Sequence, residues 1–122
     1  MTSEECHAYI VCMAALLGMF EQVILLSVVG LGNDAYGRSV LREVQSVMSS
    51  RAVSAGAVYA TLDRLENQGL LSSHVAEGGP ARGGRPRRYY QLTTNGASAL
   101  TKARTALENM WRGKPWPLEV FA

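Results

Sequence analysis

Cysteine is nearly missing from this chain: Cys6 and Cys12 stand close to the N-terminus and none follows. Two thiols cannot make a disulfide framework, and a tetrahedral zinc site takes about four ligands. Only His7 and His74 could supplement them, and His74 lies far away in the sequence. No metal and no cofactor is expected, and both cysteines read as reduced, half-buried thiols of a cytoplasmic protein. Long hydrophobic runs are also lacking. Residues 8–31 are almost entirely apolar, but Glu21 and Gln22 divide them into pieces of 13 and 9 residues. Neither reaches the roughly 20 residues that span a bilayer. The start of the chain carries Glu4 and Glu5 and no Lys or Arg before Arg38, so it does not resemble a signal peptide. The expectation is a helix buried in a soluble core or a dimer interface, with no membrane partner.

Catalytic patterns are absent as well. No His stands beside a nucleophile, and Gly78-Gly79-Pro80 opens onto arginines instead of the Lys-Ser/Thr pair of a phosphate loop. Asp63 and Glu66 are three residues apart on a helix, where Glu66 reads as structural or ion-paired, not as an acid–base group. No enzyme activity is expected.

Hydrophobic residues make up 48% of the 122 residues, enough for a single core. The formal charge of +2 conceals an uneven distribution. Residues 1–50 hold two Arg against five carboxylates, whereas residues 51–122 hold ten Lys and Arg against five. A basic C-terminal part of this kind suits a polyanion.

The periodicity of Phe20, Val23, Ile24, Leu26, Val28 and Leu31 predicts a helix buried on most sides, with Ser27 small enough for a helix–helix contact and an end at Gly30–Gly32. Gly32-Asn33-Asp34 signals a turn, with Asp34 as N-cap of the next helix. There Val40, Leu41, Val44, Val47 and Met48 repeat at helical spacing, with Arg38, Arg42 and Glu43 outward. Ser54 caps a third helix whose Val58, Leu62 and Leu65 form the buried stripe, running to about Asn67 and stopping at Gly69. Residues 70–75 and 88–92 read as two strands of a hairpin, joined by a loop (77–87) with four Gly and two Pro. Thr93 or Thr94 caps a last helix on which Leu100, Ala103, Leu107 and Met110 step by 3, 4 and 3 like a short heptad seam, with Trp111 beside it and Pro115 and Pro117 ending it. The fold class is therefore mainly α with a small β-hairpin, a winged helix-turn-helix plus a C-terminal dimerisation helix. The expected organisation is an N-terminal extension (1–17), the winged domain (18–92), the dimerisation helix (93–114) and a tail (115–122).

Such a layout carries two features that double-stranded DNA requires: a helix that enters the major groove, and cations set against phosphate. The third helix would present Gly56, Tyr59, Ala60, Asp63, Arg64 and Asn67, with Thr61 at the border, and its small N-terminal residues Ser54, Gly56 and Ala57 permit close approach. The loop places Arg82, Arg85, Arg87 and Arg88 within seven residues, a side chain suited to phosphate forks and to narrow minor grooves.

Gly56-Ala57-Val58-Tyr59-Ala60-Thr61-Leu62-Asp63-Arg64-Leu65-Glu66, followed by Gly69-Leu70-Leu71, Arg85-Pro86-Arg87-Arg88-Tyr89-Tyr90, Leu92-Thr93 and Gly96, resembles the PadR family of bacterial transcription regulators. Ala35-Tyr36-Gly37 is similar to the start of that family's second helix, and residues 20–26 to its first, so the resemblance covers roughly residues 17–112. It implies a winged-helix repressor that acts as a homodimer on a palindromic operator, the last helix making the dimer through Leu100, Ala103, Leu107, Met110 and Trp111. It also implies Tyr36, Ser54, Gly56, Tyr59, Thr61 and Arg64 as DNA contacts beside the wing arginines. The recognition helix departs from a strongly basic pattern: Arg64 is its one cation, with Asp63 adjacent.

Each residue also has a plainer role. Tyr59 contacts phosphate or packs on the hairpin; Tyr36 contacts phosphate or wedges the first two helices together. One of Tyr89 and Tyr90 must face the core, and both read as structural. Gly96 reads as the site of close packing between strand and helix. Trp111 lines a pocket for a hydrophobic small-molecule effector between subunits, or simply packs. Met13, Met19, Met48 and Met110 read as core filler. The alternative function, favoured by Asp63 and the sparse cations of the third helix, is a protein-interaction module on a winged-helix scaffold that does not bind DNA.

Overall fold

The computed structural model describes residues 17–49, 52–80 and 83–114. The order is α1 (Met19–Leu31), a 3-10 turn (Gly32–Asp34), α2 (Gly37–Val47), α3 (Ala55–Asn67), β1 (Leu71–Ala76), β2 (Arg87–Leu92) and α4 (Thr94–Trp111). The two strands form one antiparallel hairpin in which Leu71 faces Leu92, Ser73 faces Tyr90 and Ala76 faces Arg87. Three helices followed by a wing is the predicted fold. Cys6, Cys12, His7, Met13, Arg82, Pro115 and Pro117 lie outside the described residues.

The core is built from the helical stripes: Ile24, Leu25 and Val28 of α1, Val40 and Val44 of α2, and Val58, Leu62 and Leu65 of α3. Leu70, Leu71 and Tyr90 bring the hairpin onto it, and Ala99 brings α4. Each of the larger side chains contributes roughly 1.5–3 kcal/mol by leaving water. Ser27 is buried without an orphan donor, because its hydroxyl donates to the Val23 carbonyl at 2.7 Å. Burying Tyr90 pushes its phenol above the usual tyrosine range; the nearby charges of Asp63 and Glu66 act in the same direction and Arg88 opposes them.

Caps set the element boundaries. Ser54 Oγ accepts the Ala57 amide at 3.1 Å, as expected for α3. Thr93, not Thr94, caps α4: its hydroxyl accepts the Gly96 amide at 3.0 Å and donates to the Gly69 carbonyl at 2.6 Å. The end of α3 closes through Leu70 N–H to Leu65 O and Gly69 N–H to Glu66 O, with Gly69 at φ +79°, a left-handed turn that glycine takes at little cost. Asp34 does not cap α2. The 3-10 turn absorbs it, and Tyr36 becomes the N-cap, with its amide donating to Ser39 Oγ at 2.9 Å while the Ser39 hydroxyl reaches the Asp34 carbonyl at 2.5 Å.

Several apolar side chains are outside the core. Met19 is 73% exposed and Met110 69%, and Val47, Met48, Leu26 and Val29 are exposed too. Met19, Met48 and Met110 are thus not core filler, and α1 is buried on one face only. Three short helices and a hairpin have too little interior to enclose every side of them. Ala103, expected on a dimer seam, is 4% exposed and belongs to the chain's own packing. Its small side chain lies on the inner side of α4, so it is not available to a second subunit.

Candidate nucleic-acid interface

At about 100° per residue, the core stripe of α3 fixes what the helix presents outward. Gly56, Ala60, Asp63 and Asn67 lie opposite Val58, Leu62 and Leu65, and all four are exposed. Tyr59 and Glu66 share one flank, and Ala57 and Arg64 the other. Ser54 is exposed at the capped N-terminus, where a helix favours anions. Thr61 departs from expectation. It is 4% exposed, because at the border of the stripe it turns inward between Val58 and Leu65, and it does not reach a groove.

The two flanks are tied to different neighbours. Arg64 donates to Glu21 Oε1 of α1 at 3.3 Å, with half of its side chain in solvent. Such an exposed pair contributes little stability, but it holds the guanidinium toward α1. On the opposite flank, the Ser73 hydroxyl donates to the Glu66 carboxylate, and Arg88 donates to Ser73 Oγ at 2.8 Å. This chain of contacts runs from α3 through β1 to β2, so the recognition helix and the base of the wing are neighbours. Tyr59 packs on the backbone at Gly37, where a Cβ would come within 2.8 Å of its ring, and it also lies close enough to Tyr90 of the hairpin to act on its phenol. The ring remains 42% exposed at the junction of α2 and α3.

The wing is anchored by a second set of contacts. The Arg87 guanidinium lies 3.8 Å from the centre of the Tyr36 ring. Tyr36 meets Tyr89 edge-on at 5.8 Å, and Tyr89 stacks on His74 at 5.8 Å and 20°. The backbone reinforces the stack, since Tyr36 and Tyr89 form an isolated β-bridge and the Tyr90 amide donates to the Ala35 carbonyl at 2.8 Å. Tyr90 is the tyrosine that faces the core. Beyond this anchor Arg85 and Arg88 are exposed, while Arg87 is half-buried. Glu21, Gly37, Ser73 and His74 are not legible as site residues in the sequence, because their partners lie elsewhere in the chain and no local pattern marks them.

Elsewhere on the surface, α1 and α4 leave a groove of about 740 Å³ lined by Leu26, Leu100, Leu107 and Trp111, with Gln22 and Arg104 also in its lining. Leu107, Met110 and Trp111 are 51%, 69% and 42% exposed, and Leu100 is half-buried against the core. Among the described residues there is no group of three or more potential metal ligands and no helix long and apolar enough to cross a membrane.

Residues 25–102 match the profile described as "Transcriptional regulator PadR-like family". The chain is 39% identical over 80 residues to the transcriptional regulator Rv3488 of Mycobacterium tuberculosis, covering 66% of this chain and 69% of that protein. Among solved structures it is similar to a PadR-like transcription factor from Bacteroides fragilis (TM-score 0.62, 31% identity, 76% of this chain and 84% of the other). It is also similar to a PadR family transcriptional regulator from Eggerthella lenta (TM-score 0.57, 27% identity, 74% and 75%). The third-helix motif and the hairpin suggest this kinship, and the match over residues 25–102 establishes it: the chain belongs to the PadR-like family of transcriptional regulators.

Proposed function

We propose that this regulator is a repressor that binds double-stranded DNA as a homodimer on a palindromic operator. Each α3 enters a major groove, and each wing holds the flanking backbone or minor groove. The observation that carries this reading is an exposed, capped α3 N-terminus together with a wing that presents Arg85 and Arg88, the wing being tied to the C-terminal end of α3 through Ser73 and Glu66. Ser54, Gly56 and Tyr59 are the contacts expected from α3. Arg64 is a weaker one, because Glu21 already engages it. With Asp63 at the apex of the helix, groove reading relies on small and polar groups and on DNA shape.

A second copy is the natural cover for the groove between α1 and α4. Stable interfaces bury about 1,200–2,000 Å², and Leu107, Met110 and Trp111 supply an apolar centre for one. A hydrophobic small molecule held beside Trp111 between the subunits would relieve repression.

The test is a titration of duplex DNA from the chain's own promoter region with the full chain and with Arg85→Ala/Arg88→Ala. The double variant should bind at least ten-fold more weakly, with a salt slope shallower by about 1 for each phosphate that is no longer neutralised. Tight binding that ignores both changes would remove the wing from the interface. A parent chain that binds no duplex would favour the protein-interaction reading, which the acidic apex at Asp63 supports.

A further inference from the structure

The family resemblance implies that Arg87 and Tyr36 both touch DNA, and the structure turns them toward each other. Arg87 is half-buried where Arg85 and Arg88 are exposed. Its guanidinium sits 3.8 Å from the centre of the Tyr36 ring, within cation–π distance. Tyr36 is at the N-cap of α2, and Arg87 is the first residue of β2, where the hairpin leaves its loop. The contact therefore joins the root of the wing to the helix that precedes recognition helix α3. Tyr89 and His74 extend the same stack across both strands of the hairpin.

We infer that the Arg87–Tyr36–Tyr89–His74 stack is a positioning device that sets the angle of the wing against the helical body, and that neither the Arg87 charge nor the Tyr36 hydroxyl is a phosphate contact. The inference rests on the proposed DNA-binding reading for its functional consequence. A two-stranded hairpin on its own is marginally stable and bends easily. Its register against the body is fixed by the Tyr36–Tyr89 bridge and by the Tyr90 amide on Ala35. These backbone bonds act near the middle of β2. Arg87 lies nearer the loop than either of them, so, beside the Ser73–Glu66 tie to α3, it restrains the wing from swinging about them. A wing held at one angle offers Arg85 and Arg88 to phosphate without a further loss of conformational entropy on binding. Tyr59 packs on Gly37, next to Tyr36, so the same corner also meets the exposed flank of α3.

The experiment uses the full chain and promoter duplex in anisotropy titrations from about 50 to 200 mM salt. It compares Tyr36→Phe, Tyr36→Leu, Arg87→Gln and the double Tyr36→Leu/Arg87→Gln, and follows hydrogen exchange of the Tyr90 amide in each. Tyr36→Phe keeps the ring and should bind within about two-fold of the parent. Tyr36→Leu and Arg87→Gln should each weaken binding by about ten-fold and speed exchange at Tyr90. The double variant should be no worse than about twenty-fold, since both changes break one contact. Tyr36→Leu removes no charge and should leave the salt slope at the parental value. The inference is overturned if Tyr36→Phe loses as much affinity as Tyr36→Leu, or if the two losses multiply to about a hundred-fold. If Tyr36→Leu fails to fold, Tyr36→Phe and Arg87→Gln decide alone, by affinity and by Tyr90 exchange. Failure of the DNA-binding reading looks different: the parent itself does not bind, while exchange at Tyr90 still rises in Arg87→Gln and stays at the parental rate in Tyr36→Phe. Exchange unchanged in Arg87→Gln would sink the stack whatever the DNA result.

Discussion

The two outer faces of this small domain are finished to different degrees. On the side of α3 and the wing, charged and aromatic side chains already have partners within the chain: Arg64 with Glu21, Arg88 with Ser73, Arg87 with Tyr36. On the side of α1 and α4, the described surface shows bare apolar groups, among them Met19, Leu26, Leu107 and Met110. The first face is polar, and contacts within the chain fix its geometry. The second exposes a hydrophobic surface that costs free energy in water until it is covered. On the proposed dimeric reading both arrangements serve the regulator, since a rigid reading head is useful only if its twin is held at a fixed distance.

The strongest way to break the comparison is to break the joint between the faces. A Cβ at Gly96 would lie 2.2 Å from the Leu70 carbonyl oxygen and 2.7 Å from Leu92. The first neighbour is backbone at the α3–β1 turn, and Thr93 N–H already bonds that carbonyl, so it has little freedom to move. Gly96→Ala should cost about 1–3 kcal/mol by overpacking and lower the melting temperature by on the order of 10 °C in a domain of this size. Both DNA binding and self-association should fall with it. A melting curve matching the parent would show that α4 can pivot away from the hairpin.

A substitution confined to the open face should separate the two. Leu107→Glu places a charge in the groove between α1 and α4 at a residue that is half in solvent. Sedimentation should show a dimer constant weakened by about 100-fold or more, in line with the cost of an unpaired charge in an apolar interface. The melting temperature of the isolated chain should change little. An unchanged dimer constant would place the interface elsewhere.

How much of this is legible in the sequence follows the same division. Elements set by local rules are readable: the Ser54 cap, the Val58-Leu62-Leu65 stripe, the hairpin with its basic tip, and the tight packing at Gly96. Thr61 is not, because a residue at the edge of a stripe turns in or out according to what packs above it, which the spacing does not record. Ala103 fits a seam between subunits by spacing alone, since a 3-4-3 step looks the same whether the neighbour is another copy or the chain's own core. Polarity by itself puts the methionines inside, although three helices cannot enclose all the apolar groups they carry. Contacts between residues distant in the chain, such as Arg64 with Glu21 and Arg87 with Tyr36, leave no local trace.

The paired face can be sharpened by releasing one partner. Glu21→Gln removes the carboxylate that holds Arg64 at 3.3 Å. The stability change should stay within about 1 kcal/mol, as for other exposed pairs. The freed guanidinium and the lost negative charge should raise affinity for duplex of any sequence by a few-fold at low salt, with a smaller gain at high salt. A fall in affinity would mean that the pair orients Arg64 toward DNA instead of restraining it.

The smallest expected effect lies beneath the paired face, at Tyr90. Its phenol is raised above the ordinary value of 10.0 chiefly by burial, with Asp63 and Glu66 adding to the effect. Well below pH 10 the group is neutral in both the folded and the unfolded chain and contributes no slope. Above it, the unfolded chain releases a proton that the folded chain still holds, so unfolding becomes easier as pH rises. That loss levels off once the folded phenol also ionises. Tyr90→Phe keeps the ring in the core and removes the titration, so its stability should fall less steeply between about pH 10 and 11 than the parent's. Urea melts at about pH 8, 10 and 11 would measure the difference. Equal slopes would mean that the phenol ionises as readily in the folded chain as in the unfolded one, and that the hairpin opens toward solvent at Tyr90 more freely than its contacts with Ala35 and the core indicate.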